Sequence, residues 1–186
     1  YNQQEPRLVV HFAATTAGIK EDASVKEIVN NYSNNDIDFH KTVSDMAGIS
    51  RLQAKTINLG LFYGMGKAKL QAELGVSKEK AEELFSTYHS HVPFVKQLMN
   101  AVSNRGQQRG QIRTLLGRLC RFHLWEPNYF GMHKALPHEQ AIQEHGQAIK
   151  RAGTYKALNK LIQGSAADMT KTVSYTHLTL PTKRIV

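Results

Sequence analysis

One cysteine, Cys120, in 186 residues leaves no internal disulfide to staple the chain, and it excludes the thiol-rich zinc modules that need several cysteines at fixed spacing. No apolar run approaches the roughly 18 residues a membrane-spanning helix needs. No signal-peptide pattern opens at Tyr1, so an intracellular protein is the expectation. Proline and glycine are sparse, at 5 and 13 residues, which excludes collagen-like and low-complexity chains. Negative charge is the other scarcity: 15 Asp and Glu stand against 24 Lys and Arg, a formal net charge of +9. From Leu84 to Trp125 there is no acidic residue, while Lys96, Arg105, Arg109, Arg113, Arg118 and Arg121 all fall inside. Such a stretch either faces phosphates or is an ordinary solvated face. For a strongly basic chain the first partners to consider are polyanions, nucleic acid above all. What is present, 41% hydrophobic and 21% charged residues, is the composition of a globular chain long enough to bury a core.

Along the chain, Tyr1 to His11 predicts a strand. Pro6 speaks against a central one, so the run from Glu5 to Ala14 is expected to end early as a strand and turn into a helix. Asn30 to Asp38 is turn-rich and polar, a connection. A helix is predicted from Arg51 to Leu61, stopped by Gly64-Met65-Gly66. A second begins after Ser77 as N-cap, with Ala81, Leu84, Phe85 and Tyr88 on one face. Pro93 opens a third, whose apolar side is Val95, Leu98, Met99 and Val102. Thr114 to Gly117 is a turn between short extended pieces, and His123 to Leu136 an irregular loop. A long helical pattern then runs from His138 to about Lys171, with Gly146, Gly153 and Gly164 as weak points.

Arg51, Lys55, Leu59 and Tyr63 recur every four residues and therefore share one helical face. That face carries two cations, an apolar contact and a ring with a hydroxyl. It can grip a triphosphate at one end and stack on a base or sugar at the other, although Arg and Lys at this spacing also mark plain solvated helices.

The full string, Arg51-Leu-Gln-Ala-Lys55-Thr-Ile-Asn-Leu59-Gly-Leu-Phe-Tyr63-Gly64, resembles motif B of the family A DNA polymerases, R-x3-K-x3-F/Y-x3-Y-G. Tyr1-Asn-Gln-Gln-Glu5-Pro-Arg7 is similar to the tail of that family's motif A, D-Y-S-Q-I-E-x-R, without its aspartate. Asn159-Lys-Leu-Ile-Gln163-Gly-Ser-Ala-Ala-Asp168 resembles the helix N-x3-Q-G-T-A-A-D. The resemblance spans about residues 1 to 171, including Gly110 to Arg118, and its wording is nearest to bacteriophage members. It implies a mostly α, α+β fold: a partial palm over residues 1–45, helical fingers over 46–136 and a helix returning to the palm over 137–172.

The resemblance also implies template-directed DNA synthesis, in which a nucleotidyl group passes from a dNTP to the 3′-OH of a primer on primer–template DNA. Arg51, Lys55 and Tyr63 are the catalytic matches. Arg51 and Lys55 hold the triphosphate with His40, and Tyr63 sits at the nascent pair. Gln3 and Leu59 complete the nucleotide site. Glu5 closes over the sugar and excludes a ribose 2′-OH, which disfavours a single-subunit RNA polymerase. Gly64, Arg118, Asn159 and Gln163 match DNA-contacting positions, the last two near the minor groove, where pair shape is checked without reading sequence. Two Mg²⁺ ions are implied, held by aspartates of motifs A and C. Neither aspartate is in this sequence, and of the metal ligands only the main-chain carbonyl of Tyr1 is present. The 186 residues alone are therefore expected to be inactive. A non-catalytic nucleic-acid-binding scaffold is the other reading.

Three departures accompany the matches. Leu59 stands where the family usually has Phe or Tyr, and Tyr155 where bacterial members often have Arg, although Lys156 is adjacent. The sequence after Thr172, Val173-Ser-Tyr-Thr-His-Leu-Thr-Leu-Pro-Thr182, reads as the translation of a transposase-type sequencing adapter rather than as more of the helix. Residues 173–186 are set aside as non-native on that ground. Without Lys183 and Arg184, which lie in that tail, the net charge falls from +9 to +7.

Overall fold

In the computed structural model, residues 3–34, 38–129 and 131–178 are described, those at 46, 47, 177 and 178 by backbone alone. Seven helices come first: α1 (Gln4–Thr15), α2 (Ala23–Ser33), α3 (Phe39–Ala47), α4 (Arg51–Phe62), α5 (Lys67–Leu74), α6 (Lys78–His91) and α7 (Pro93–Arg109). Their starts follow local chemistry. Asp22, Asp38 and Ser77 each accept a hydrogen bond from a first-turn backbone amide. Ser50 and Gln53 form a reciprocal capping box at α4. Pro93 opens α7, where its missing N–H costs nothing.

Two antiparallel hairpin-like pairs follow. β1 (Gln111–Arg113) pairs with β2 (Leu119–Arg121), Ile112 opposite Cys120. β3 (Trp125–Pro127) pairs with β4 (Ile149–Arg151) across α8 (His138–His145). A short 3₁₀ turn (Thr154–Lys156) leads into α9 (Ala157–Leu178). The core lies where α1, α7 and α9 meet, and it is filled by Leu8, Val9, Ala13, Phe94, Leu98, Leu158 and Ile162. α3 and α4 pack as a pair, as do α5 and α6. Burying each of the larger side chains contributes about 1.5–3 kcal/mol.

Four expectations are corrected. The run from Glu5 to Ala14 is helix from Gln4 onward, not strand: Pro6 falls in the first turn, where its missing N–H has no intrahelical duty, and the buried Leu8, Val9 and Ala13 face α7 and α9. A short apolar run does not distinguish strand from helix by periodicity, and packing decided it. Asn30 to Ser33 belong to α2, because Val25, Ile28, Val29 and Tyr32 form a helical stripe against the core; residues 35–37 lie outside the described residues. Residues 137–172 are not one helix. Gly146 (φ 66°, ψ −151°) holds a conformation closed to side-chain-bearing residues, Gly153 (φ 71°) is left-handed, and β4 between them pairs with β3, inside what read as a loop. α5 occupies a stretch for which no helix was expected.

The α9 helix continues through the start of the suspected tail. Val173 is half-buried, and Ser174, Tyr175 and Thr176 are exposed. Residues 179–186 lie outside the described residues.

Candidate functional site

Of the residues expected at the nucleotide site, His40 lies at the start of α3, Arg51, Lys55, Leu59 and Tyr63 along α4, and Gln3 and Glu5 at the start of α1. Arg51 is the first helical residue of α4, exposed, with its cation at the end where the helix dipole is already positive. Asp38 offsets it: Nε and Nη2 of Arg51 both reach Oδ2 of Asp38 at 2.7 Å. The other oxygen, Oδ1, caps α3 by accepting from the amides of His40 (3.0 Å) and Lys41 (3.2 Å). Burial works to raise the Asp38 pKa, but the Arg51 hydrogen bond and charge, with the two amides, hold it below the ordinary carboxylate value. Lys55, one turn on, is exposed and has no carboxylate within ion-pair distance among the described residues.

His40 is 5% exposed, and its Nδ1 takes a hydrogen bond from Nδ2 of Asn58 at 3.0 Å. With the Asn58 amide in this orientation, Nδ1 accepts and the ring proton sits on Nε2, while Asn58 Oδ1 is buried without a partner among the described residues. The pKa of His40 is lowered, first by burial and then by the charges of Arg51 and Lys55, with Asp38 and Glu5 acting in the opposite direction. Burial and the two cations both favour the neutral imidazole, whose Nε2–H is then left to donate. Asn58 itself is fully buried in α4, seven residues after Arg51.

Tyr63 caps the C-terminal end of α4, half-buried, continuing the face of Lys55 and Leu59. Its hydroxyl is buried without a hydrogen-bond partner among the described residues. Burial, helped by the charge of Glu5 and opposed by nearby Gln163, pushes its pKa up to about 12. Glu5, in the first turn of α1, is therefore close enough to act on both His40 and Tyr63. Leu59 is half-buried and Gly64 exposed. Gln3 does something the sequence did not suggest: it adopts a left-handed conformation (φ 58°), and its Oε1 accepts from the Phe39 amide at 3.1 Å. It ties the start of α1 to the start of α3, which carries His40.

Of the four DNA-contacting candidates, Gly64 follows α4, and Asn159, Gln163 and Arg118 lie on or beside α9. Asn159 is half-buried and Gln163 exposed on that helix. Arg118 is latched to it: Nε donates to Oδ1 of Asp168 at 2.7 Å, and Nη2 to the Gly164 carbonyl at 3.0 Å. Arg118 sits beside α9 rather than on the α4 face. Tyr1 lies outside the described residues. Among the described residues no three His, Cys, Asp or Glu side chains gather into a metal-binding group. The described residues do not fit a two-magnesium site.

Asp38, Asn58, Thr114 and Asp168 carry structural duties at the site that sequence reasoning did not assign. The sequence alone carried little signal for them: even Asn58, at a core position of α4, reads as an ordinary weak point of a helix.

The profile of DNA polymerase family A matches residues 1–177. The DNA-directed DNA polymerase of Pseudomonas phage M6 is 32% identical over 92% of this chain and 28% of that protein. DNA polymerase I of Pseudomonas aeruginosa is 28% identical over 92% of this chain and 17% of its own length. This chain thus spans under a third of the curated relatives it matches. The polymerase domain of Pol1 from M. smegmatis, solved with DNA primer–template and dNTP, superposes over 97% of this chain and 30% of that one, with a TM-score of 0.64 at 23% identity, which speaks for the fold. With motif-bearing residues on one face of α4 and a family match over nearly its whole length, this chain belongs to DNA polymerase family A.

Proposed function

We propose that these residues are the nucleotide-gripping part of a template-directed DNA polymerase. Residues 1–45 supply a piece of palm, 46–136 the fingers and 137–172 the return to the palm, with 173–186 an adapter-derived tail. What supports the reading is that His40, held against α4 by Asn58, feels the charges of Arg51, Lys55 and Glu5, and that Glu5 acts on Tyr63 as well. A triphosphate is densely anionic, and a site for it needs several convergent donors. Arg51 supplies a planar fork, Lys55 a point charge and His40 a single Nε2–H donor. Tyr63 offers a ring face to the nascent base pair, next to Gly64 on the template side. Glu5, whose charge reaches Tyr63, is on this reading the group that a ribose 2′-OH would meet. Leu59 gives apolar contact without a ring. Asn159, Gln163 and Arg118 face the primer–template duplex. The ligands are dNTP and primer–template DNA, as in the M. smegmatis complex. The two Mg²⁺ ions of the intact enzyme belong to aspartates that these residues do not include, and the enzyme works inside the cell.

Electrophoretic and primer-extension assays on the 186-residue chain test this. It binds a primer–template duplex weakly, with log K falling linearly with log salt, and extends no primer with Mg²⁺ and dNTPs. Salt-independent binding, or extension by this chain alone, refutes the reading.

A further inference from the structure

The start of α3 is fastened to α4 at two points of different character. His40 to Asn58 is buried, with His40 at 5% and Asn58 at 0% exposure. Asp38 to Arg51 lies open, its side chains 30% and 52% exposed. The open contact is also the poorer one chemically. Both guanidinium bonds end on one oxygen, Oδ2, because Oδ1 is committed to the amides of His40 and Lys41. Asp38 cannot offer Arg51 the two-oxygen fork that a phosphate offers, and exposed ion pairs exchange readily.

We propose that Asp38 is a resting counter-ion for Arg51, a placeholder that an incoming polyphosphate displaces, so that ligand entry is an exchange of one anion for another. This rests on the reading that Arg51 grips a triphosphate. Asp38 is on this account a positioning residue: it holds the guanidinium in one rotamer, screens its charge while the site is free of ligand, and sets a threshold that a weak or singly bonded anion does not pass.

Asp38→Asn separates this role from the helix cap. Asparagine caps a helix as well as aspartate does, but it carries no charge and turns an N–H donor where Arg51 sought an acceptor. Asp38→Ser, also a good cap, serves as the second variant. The test titrates inorganic tripolyphosphate into the 186-residue chain at low salt by calorimetry, for the parent, Asp38→Asn, Asp38→Ser, Arg51→Ala and the Asp38→Asn/Arg51→Ala pair. Circular dichroism verifies the folding of each.

Arg51→Ala is expected to weaken binding. Asp38→Asn and Asp38→Ser should tighten it by roughly two- to fivefold, the range of an exposed pair. That gain should vanish when Arg51 is absent. If Arg51→Ala weakens binding while both Asp38 variants leave it unchanged or weaker, Asp38 is idle or orients Arg51. The placeholder is then overturned while the triphosphate reading stands. A gain that persists undiminished without Arg51 also overturns it, as a general charge effect. If Arg51→Ala changes nothing, the triphosphate reading fails and takes the placeholder with it.

Discussion

Thr114 is a small residue on which the placement of α9 depends. It is 4% exposed, just beyond β1, and its hydroxyl works in both directions: Oγ1 donates to Oδ2 of Asp168 at 2.6 Å and accepts from the Arg118 amide at 3.0 Å. With Leu115 N on Ser165 Oγ (2.9 Å) and the two Arg118 bonds, it latches the β1–β2 turn onto the helix that carries Asn159 and Gln163. Thr114→Val keeps the shape and removes the hydroxyl. A hydrogen bond to a charged group is worth about 1.5–3 kcal/mol, and a buried amide left without an acceptor costs about 1–3 kcal/mol. Water reaches the half-exposed Arg118 and recovers part of the second term, so the net loss is about 2–3 kcal/mol. For a chain of this size that lowers Tm by about 4–12 °C. Thr114→Ser, which loses only a methyl, costs about 1 kcal/mol.

The pH dependence sharpens the test. The Thr114 hydrogen bond, and after it the Arg118 contact, lower the Asp168 pKa against burial, which acts to raise it. A carboxylate whose folded pKa lies below its unfolded value of about 3.9 contributes its full stabilisation above that value and loses it as pH falls through the folded pKa. The deficit of Thr114→Val, measured by denaturant unfolding against the parent, is therefore largest near neutrality and shrinks in acid. An equal deficit at neutral and acid pH, or a Thr114→Ser variant as damaged as Thr114→Val, refutes the reasoning.

On the function proposed above, two further outcomes are read by single-nucleotide insertion kinetics on a family A polymerase completed around these residues. Lys55→Ala lowers kcat/KM for dNTP on the order of 10²-fold or more, the loss of a charge-assisted contact to the transition state; an unchanged value removes Lys55 from the site. Glu5→Ala raises ribonucleotide insertion relative to deoxyribonucleotide, and an unchanged ratio means that Glu5 does not guard the sugar.

α4 was readable because everything that defines it is local. Ser50 caps it, Gln53 closes the box, and Arg51, Lys55 and Leu59 fall on one face by helical geometry alone. α6 and α7 were readable for the same reason, from Ser77 and Pro93. α1 was not. Its Val9, Val10 and Phe12 suit a strand equally well, and only packing against α7 and α9, far away in sequence, settles the matter. The break after α8 likewise depends on a pairing of β4 with β3 that no window of a dozen residues contains.

The same distinction between local and distant causes runs through the site. Arg51 and Lys55 are chemically legible as single residues, since a cation spaced along a helix face suggests an anion. Asp38 and Asn58 are not, because neither side chain is unusual for its own segment. An aspartate before a helix is an ordinary cap, and an asparagine inside one is an ordinary weak point. Their meaning comes from what α3 and α4 bring opposite them: the guanidinium of Arg51 in one case, Nδ1 of His40 in the other. Asn58 holds Nδ1 of His40, and Asp38 holds the guanidinium of Arg51, so the two least conspicuous residues set the arrangement of the conspicuous ones. A substitution at either position leaves every motif residue in place. It is therefore the kind of change that the motif alone would pass as harmless and that ligand binding, measured against Arg51→Ala, would not.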